Sequence, residues 1–419
     1  MAAGGACPTH DTESRLRSRN PTGRPASASR RSGQSVRIVN PVTLQQPRRI
    51  LFGNGSFEQT PAEVLQTGGS RVFIVTTSFL LPQAETLAEN LRKLDLETRI
   101  FSDIETEPDI ALFKRVLESG REFGFDTVVG LGGGSVLDVA KLVAAFREDD
   151  QSITDTFGIG LLRGRGASLI CIPTTSGTGS EVSPNAILLD ETDQLKKGVV
   201  SPFLVPDAAV IDPLLTVTLP PPITAATGLD AMVHCMEAYA NLHAHPAVDL
   251  YALEGMRQIA PNLVRAVRDG SDLEARGALS LGSLYGGLCL GPVNTAAVHA
   301  LSYPLGGEFH VPHGVSNTLL LPHVFRFNLD AAPDRYAEIA RTIGVSDRGS
   351  AIETGRAGID RLVDLSVACE LPQQLREVGV KDTDLEHLAT ESMKVTRLLK
   401  NNPKEMKVED AEAIFRAAW

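Results

Sequence analysis

Thr127-Val128-Val129-Gly130-Leu131-Gly132-Gly133-Gly134-Ser135-Val136-Leu137-Asp138-Val139-Ala140-Lys141 decides how the first half of this chain folds. A short apolar run meets a glycine triplet, and an apolar segment without a breaker follows. A strand therefore passes through a tight turn into a helix. Glycines at such a turn let the backbone approach a phosphate, and the helix that follows offers free N–H groups to the anion. A tight turn with no ligand fits the same triplet. Gly130-x-Gly132-x-x-Ser135 also departs from the usual dinucleotide fingerprint by ending in serine.

The same strand and helix signals recur on either side of this segment. Val72-Phe73-Ile74-Val75 precedes a helical stretch through Leu94, a short strand near Thr98 to Phe101 and a helix before Phe125. Beyond the glycine turn comes Ser168-Leu169-Ile170-Cys171-Ile172. Such alternation implies βαβ units, hence a parallel Rossmann-like sheet with helices on both faces. After Thr218-Leu219-Pro220-Pro221-Pro222 the strand signal stops and long Ala- and Leu-rich segments run to Trp419. The expected division is an Arg/Ser-rich disordered tail over residues 1–35, an α/β dinucleotide-binding domain over 36–218 and an all-α metal-binding domain over 219–419. Residues 35–42 and 48–52 read as short strands outside the alternation. Exposed strands of that kind pair across subunit interfaces, so a homodimer or larger homo-oligomer is expected.

Composition narrows the function classes. The 419 residues are 42% hydrophobic and 22% charged, an ordinary globular balance without an apolar run of membrane-spanning length. Residues 1–50 hold nine arginines against Asp11 and Glu13, a balance of +7, so the remaining residues carry −18 where the whole chain carries −11. An acidic body argues against nucleic-acid binding. Cys7, Cys171, Cys235, Cys289 and Cys369 follow no pairing motif and suit a reducing, cytoplasmic compartment. The Arg- and Ser-rich start also resembles an organelle transit peptide, which makes a mitochondrial location the alternative.

Two further segments carry chemistry. Pro173-Thr174-Thr175-Ser176-Gly177-Thr178-Gly179-Ser180-Glu181-Val182-Ser183 gathers hydroxyls and glycines after a strand, where ligands bind in open parallel sheets. In the second half, Asp230 and His234 stand four apart in a segment without a breaker, so both face one side of a helix. His299 and His313 bracket Pro304 and the Gly306-Gly307 pair, which are expected to break a helix and turn the chain back. One carboxylate and three imidazoles make an N3O set that fits Fe(II) or Zn(II).

These blocks together resemble the iron-containing (group III) alcohol dehydrogenases. The resemblance rests on Gly132-Gly133-Gly134-Ser135-x-x-Asp138-x-x-Lys141, Pro173-Thr174-Thr175-x-Gly177-Thr178-Gly179-Ser180-Glu181-Val182 and Gly228-x-Asp230-Ala231-x-x-His234-x-x-Glu237. His299 through Gly314 and Asn401-Asn402-Pro403 complete it, in order over residues 38–419. It implies a dehydroquinate-synthase-like fold and reversible hydride transfer between NAD or NADP and a small alcohol, aldehyde or ketone. The implied metal ligands are Asp230, His234, His299 and His313, with Fe(II) first and Zn(II) second. The implied cofactor contacts are Thr77, Gly132, Gly133, Gly134, Ser135, Asp138, Thr174, Thr175, Thr178, Ser183 and Lys197, the last preferred over Lys196 because it adjoins Gly198. Two departures stand out. Thr77 occupies a place where many relatives carry an Asp that repels a 2'-phosphate, which opens the site to NADP. Tyr303 stands where many relatives have a further cleft histidine, which leaves His310 as a candidate for proton exchange. The alternatives are a maleylacetate-reductase-like enzyme, a 2-hydroxyacid/2-oxoacid transhydrogenase and a dehydroquinate-synthase-like lyase. The intact ligand set disfavours the first. The lack of basic residues other than His234 between Ala225 and Ala240 disfavours the last.

Overall fold

The computed structural model describes residues 41–192 and 195–419. Its strands are β1 (Arg49–Phe52), β2 (Arg71–Val75), β3 (Glu97–Phe101), β4 (Thr127–Gly132), β5 (Gly158–Ile159), β6 (Ser168–Pro173), β7 (Asn185–Asp190), β8 (Leu195–Val200) and β9 (Ala208–Ile211). The first helices are α1 (Thr60–Thr67), α2 (Leu81–Arg92), α3 (Ile110–Phe123) and α4 (Gly134–Phe146). Six strands form one sheet in the order β1-β9-β6-β4-β2-β3, and every pairing in it is parallel.

That order fixes where a ligand crevice opens. From β2 the chain crosses to β3 on one side, then returns to build β4, β6 and β9 on the other. The direction of winding reverses between β2 and β4, and the loops leaving their carboxyl ends diverge there. Alternation along the strands sorts the core. Phe73, Val75, Val128, Leu169 and Cys171 pack with α3 and α4. Val72, Ile74, Val129, Leu131, Ile170 and Ile172 face the opposite layer, with Val64 of α1 and Ala84, Leu87 and Leu91 of α2. Gly130 is needed because a Cβ there would come within 2.8 Å of the Ala140 methyl. Close seating of α4 on the sheet follows.

The second half is helical: α5 (Pro221–Tyr239), α6 (Pro246–Arg268), α7 (Leu273–Leu290), α8 (Ala297–Phe309), α9 (His313–Asn328), α10 (Pro333–Thr342), α11 (Ala351–Ala368), α12 (Leu385–Ser392), α13 (Thr396–Leu399) and α14 (Val408–Ala418). Pro221 and Pro222 open α5, where a missing N–H costs nothing because the first turn has no acceptor for it. α5 packs against α6, α7 and α9, so its polar residues Asp230, His234 and Glu237 are buried. No described helix is long and apolar enough to cross a membrane.

Several expectations are corrected. Arg49–Phe52 is a strand but lies within the main sheet, as an edge strand parallel to β9. Pro41 and Val42 are not in a strand, and residues 35–40, like the expected tail over 1–35, lie outside the described residues. Pro304 does not break its helix: α8 runs through it and through Gly306 and Gly307 to Phe309. A proline inside a helix removes one hydrogen bond, and burial of the surrounding turns holds α8 together across the gap. The chain turns instead at His310, in the left-handed region with φ 53°. A small second sheet, β5-β8-β7, was not expected. Its β7–β8 pair is antiparallel, and in β7 only every second residue is fully buried.

Candidate metal and cofactor site

The carboxyl ends of β2, β4 and β6, the β7–β8 pair and the facing ends of α5, α7, α8 and α9 enclose a cleft of ≈ 620 Å³. Gly133, Gly134 and Ser135 line it at the start of α4. A Cβ on Gly134 would stand 2.5 Å from Thr178 Cγ2, so the glycine lets the threonine-rich loop close over the helix end. Thr175, Thr178 and Ser183 also line the cleft, and so does Thr77 at the end of β2. Gly132 lies beneath, as the last residue of β4, with Val136 where its Cβ would point. Thr174 is likewise buried below the cleft, its N–H donating to Gly132 O at 3.0 Å and tying the two loops together.

Asp138 lines the floor of the cleft, and Lys141 is fully buried beneath it. The Asp138 carboxylate accepts from Ser180 Oγ at 2.5 Å and from Ile187 N at 2.9 Å, and Lys141 Nζ donates to Ser183 O and Asn185 O. α4, the threonine loop and β7 are thus pinned to one another. Burial pushes the Asp138 carboxyl up and draws the Lys141 ammonium down, each partly opposed by the other's charge. Glu181 beside them is pushed up to about 7 by burial. An unfolded chain therefore releases this proton above about pH 4.5 while the native state holds it to about 7, so Glu181 lowers stability as pH rises across that window. Glu181→Gln is expected to leave stability at pH 4.5 nearly unchanged and to raise it relative to wild type by roughly 1–3 kcal/mol at pH 8. Urea titrations at the two pH values measure this; a constant difference would contradict it.

The structure turns the two adjacent lysines in opposite directions. Lys196 lines the cleft, with Nζ paired to the Glu107 carboxylate and Gly306 leaving room for its stem. Lys197, the residue preferred from sequence, pairs with Asp190 at 2.7 Å instead. That partner holds the Asp190 carboxyl down at about 2. Alternation along β8 sends neighbours to opposite faces, so a one-residue slip in reading exchanges the roles.

On the opposite wall, side chains from three helices converge. Asp230, His299 and His313 place one potential ligand atom each within 4.8 Å of one another. His234 joins from the same face of α5, with Nε2 3.9 Å from Asp230 Oδ1 and its ring stacked on that of His299 at 4.7 Å. Tautomers are set from behind. His299 Nδ1 lies 2.6 Å from Glu237 Oε2 and His234 Nδ1 lies 3.3 Å from Gly177 O, so both Nε2 atoms face the cleft. Burial pushes the Asp230 carboxyl up, but the three histidines outweigh it and hold it below the usual range. Burial draws His234 down, and draws His313 down to about 3, so both stay neutral and able to ligate. Against burial, hydrogen bonds to Asp230 and Glu237 raise His299 to about 9, so near neutrality it holds a second proton on Nε2 that a bound cation would displace.

The donor set fits a divalent cation. Asn317, four residues after His313 on α9, inserts its Nδ2 among the same atoms, 2.8 Å from Asp230 Oδ1 and 3.2 Å from Nε2 of both His299 and His313. Its buried Oδ1 has no hydrogen-bond partner. Acceptors that gather round one amide nitrogen, leaving the amide oxygen unsatisfied, are arranged for positive charge at their centre.

Other expected residues divide. Tyr303 lines the cleft, its ring 6.2 Å from that of His313 and its hydroxyl 3.5 Å from Arg397 Nη2. Burial pushes the phenol up, so it keeps its proton near neutrality. His310 is exposed at the end of α8 and does not line the cleft, which corrects its expected part in proton exchange. Sequence reading gave no role to Glu105, Glu237, Asn317 or Arg397, and it ranked Lys196 behind Lys197. Helical spacing carried signal for two of them: Glu237 follows Asp230 and His234 at i+7 and i+3, and Asn317 follows His313 at i+4.

Comparison with known proteins gives the family. The iron-containing alcohol dehydrogenase family matches residues 47–213, and the C-terminal part of the Fe-containing alcohol dehydrogenase family matches residues 224–419. The chain belongs to the iron-containing alcohol dehydrogenase family. It is 35% identical over 383 residues to long-chain-alcohol dehydrogenase 1 of Geobacillus thermodenitrificans, covering 88% of this chain and 96% of that one. Sulfoacetaldehyde reductase of Bilophila wadsworthia is 32% identical over 375 residues, with 88% and 97% covered. Among solved structures, that of 1,3-propanediol oxidoreductase superposes with a TM-score of 0.88 at 32% identity, covering 91% of this chain and all of that one. The fold is dehydroquinate-synthase-like, and the protein is a metal-dependent NAD(P) alcohol oxidoreductase.

Proposed function

We propose that Asp230, His234, His299 and His313 hold Fe(II), with Zn(II) as the alternative, and that NAD lies across the glycine and threonine loops with its reactive ring toward them. The observation that carries this reading is the meeting of the acid and imidazole cluster with the glycine loop in a single cleft. When bound, the metal supplies a Lewis acid for the oxygen of the alcohol or carbonyl, and the nicotinamide accepts or delivers hydride. The chain's own residues do the positioning. Free N–H groups at the start of α4, with Gly133, Gly134 and Ser135, receive the pyrophosphate. Thr175, Thr178 and Ser183 offer hydroxyls beyond it, and Lys196 replaces Lys197 as the cation within reach. The α/β part, residues 36–218, serves as the cofactor domain and the helical part, 219–419, as the metal domain. Tyr303 donates a hydrogen bond from the cleft wall and keeps its proton.

The test is aldehyde reduction by protein stripped of metal and reloaded with Fe(II) or Zn(II) under anaerobic conditions. Turnover restored by metal and dependent on added NADH is the expected result. Metal-indifferent activity would favour a maleylacetate-reductase type, and turnover without free cofactor a transhydrogenase.

NAD is favoured over NADP. Thr77 carries no charge, but Glu105 reaches the same rim of the cleft, its carboxylate 2.9 Å from Ser78 N. Hydrogen bonds from Ser78 hold that carboxyl below its ordinary value, so it is ionised at neutral pH. A fixed negative charge there repels a 2'-phosphate and accepts from a 2'-hydroxyl. Glu105→Gln is expected to raise the NADPH to NADH ratio of kcat/KM about tenfold. An unchanged ratio would remove Glu105 from cofactor choice.

The protein associates at least as a dimer in this reading, since among the described residues the outer edge of β1, residues 49–52, has no strand beside it. A monomeric mass by light scattering would refute it. The four described cysteines are buried free thiols, which supports a reducing, cytoplasmic compartment.

A further inference from the structure

Arg397 is a cation that the metal and cofactor reading leaves unused. It stands on α13, lines the cleft and is only half-exposed. Its Nη1 is buried without any hydrogen-bond partner, and Nη2 makes one long contact, 3.5 Å to the Tyr303 hydroxyl. Among the described residues no carboxylate pairs with it, whereas Lys196 in the same cleft is met by Glu107. A guanidinium withdrawn from water with an orphaned donor is costly unless something anionic completes it. The place is also suggestive of substrate. Tyr303 lies between Arg397 and His313, so one aromatic ring separates the guanidinium from the metal cluster. Asn185, Leu290 and Thr295 line the same cleft.

We propose that Arg397 receives a carboxylate at the far end of the substrate, so that the preferred substrates are short ω-hydroxy acids and their ω-oxo counterparts. The reacting oxygen points to the acid and imidazole cluster, and the carboxylate accepts from both guanidinium nitrogens beside the Tyr303 hydroxyl. Planar guanidinium and planar carboxylate match in a two-bond pairing, which also fixes the direction in which the substrate enters. This rests on the oxidoreductase reading above and adds the substrate's chemical class to it.

The test uses the full-length enzyme, metal-reloaded, with NADH. Reduction of ω-oxo acids of three to six carbons is compared with that of unsubstituted aldehydes of equal length, in wild type, Arg397→Met and Arg397→Lys. In parallel, calorimetry follows ω-hydroxy acids and plain alcohols binding to the NADH complex, where no hydride transfer to NADH can occur. Wild type is expected to favour the acids at least tenfold in kcat/KM, mainly through KM, and to bind ω-hydroxy acids at least tenfold more tightly than plain alcohols. Arg397→Met is expected to remove both preferences, and Arg397→Lys to restore part of the KM difference. Plain aldehydes reduced as well as the acids would overturn the proposal and leave the oxidoreductase reading intact. Equal losses on both substrate sets in Arg397→Met would overturn it too, marking Arg397 as structural. No reduction of any aldehyde together with no binding of a hydroxy acid would overturn both. Should Arg397→Met not fold, the wild-type preference and the Lys variant still decide.

Discussion

His313→Ala is expected to lose tightly bound metal and to lower kcat/KM for aldehyde reduction at least a thousandfold, while NADH binding stays within about threefold of wild type. The side chain is suited to such a test because it is 28% exposed at the start of α9, so truncation opens no sealed cavity. Its Nε2 lies 3.7 Å from Asp230 Oδ1, and the glycine loop proposed to receive the cofactor belongs to a different part of the chain. Three of the four proposed ligands would remain, yet an ion held by three at the mouth of a cleft exchanges faster and has lost the donor nearest solvent. Lewis-acid assistance is worth several kcal/mol, and each 1.36 kcal/mol is a decade in rate, which sets the size of the effect. Metal content by elemental analysis and NADH binding by fluorescence measure the two halves independently. Full activity in a chelator-treated variant would refute the metal assignment.

How far the sequence reveals this fold depends on which interactions are local. Strand and helix alternation across β2, β3, β4 and β6 was legible because apolar runs, glycine turns and helical periodicity all lie within short windows. The β7–β8 pair was not. Asn185–Asp190 and Leu195–Val200 carry Lys196, Lys197 and Asp190, and their modest alternation gains meaning only once α4 is known to cover one face. Pro304 misled for the opposite reason. A proline is a strong local signal, but in α8 it competes with burial on all sides, and tertiary packing prevailed.

The site divides along the same line. Asp230 and His234 were legible because one helical turn separates them, and His299 and His313 because they bracket the Pro304 and Gly306-Gly307 segment, a choice that the resemblance repeated. Their supports were harder to see, since Glu237 acts 62 positions away on His299 and Arg397 94 positions away on Tyr303. His310 and Lys197 failed on orientation. Lys197 has a neighbour, Lys196, that faces the cleft, and spacing alone does not say which of two adjacent side chains points inward; His310 sits at the left-handed turn that ends α8, away from the cleft.

Glu237→Gln is the sharper probe of how the cluster is held. The carboxylate is almost fully buried and accepts from three donors: Ala296 N at 3.0 Å, Val298 N at 2.6 Å and His299 Nδ1 at 2.6 Å. It closes the first turn of α8, whose free N–H groups have no helical acceptor, and it holds the His299 proton on Nδ1, so that Nε2 is the atom offered to a cation in the cleft. Glutamine keeps the shape but offers one acceptor oxygen and turns an NH2 toward groups that are themselves donors. At least one buried donor is then unsatisfied, at a cost of about 1–3 kcal/mol. The imidazole, no longer facing a full negative charge, becomes a weaker base and a weaker ligand. The expected result is a metal affinity lowered by about 10- to 100-fold, read by competition with a fluorescent chelator, and a metal-free protein that unfolds at lower urea. Unlike His313→Ala, this variant retains all four ligands, so saturating metal should recover most of kcat. Failure to recover it would mean that Glu237 acts on the reaction itself rather than through His299.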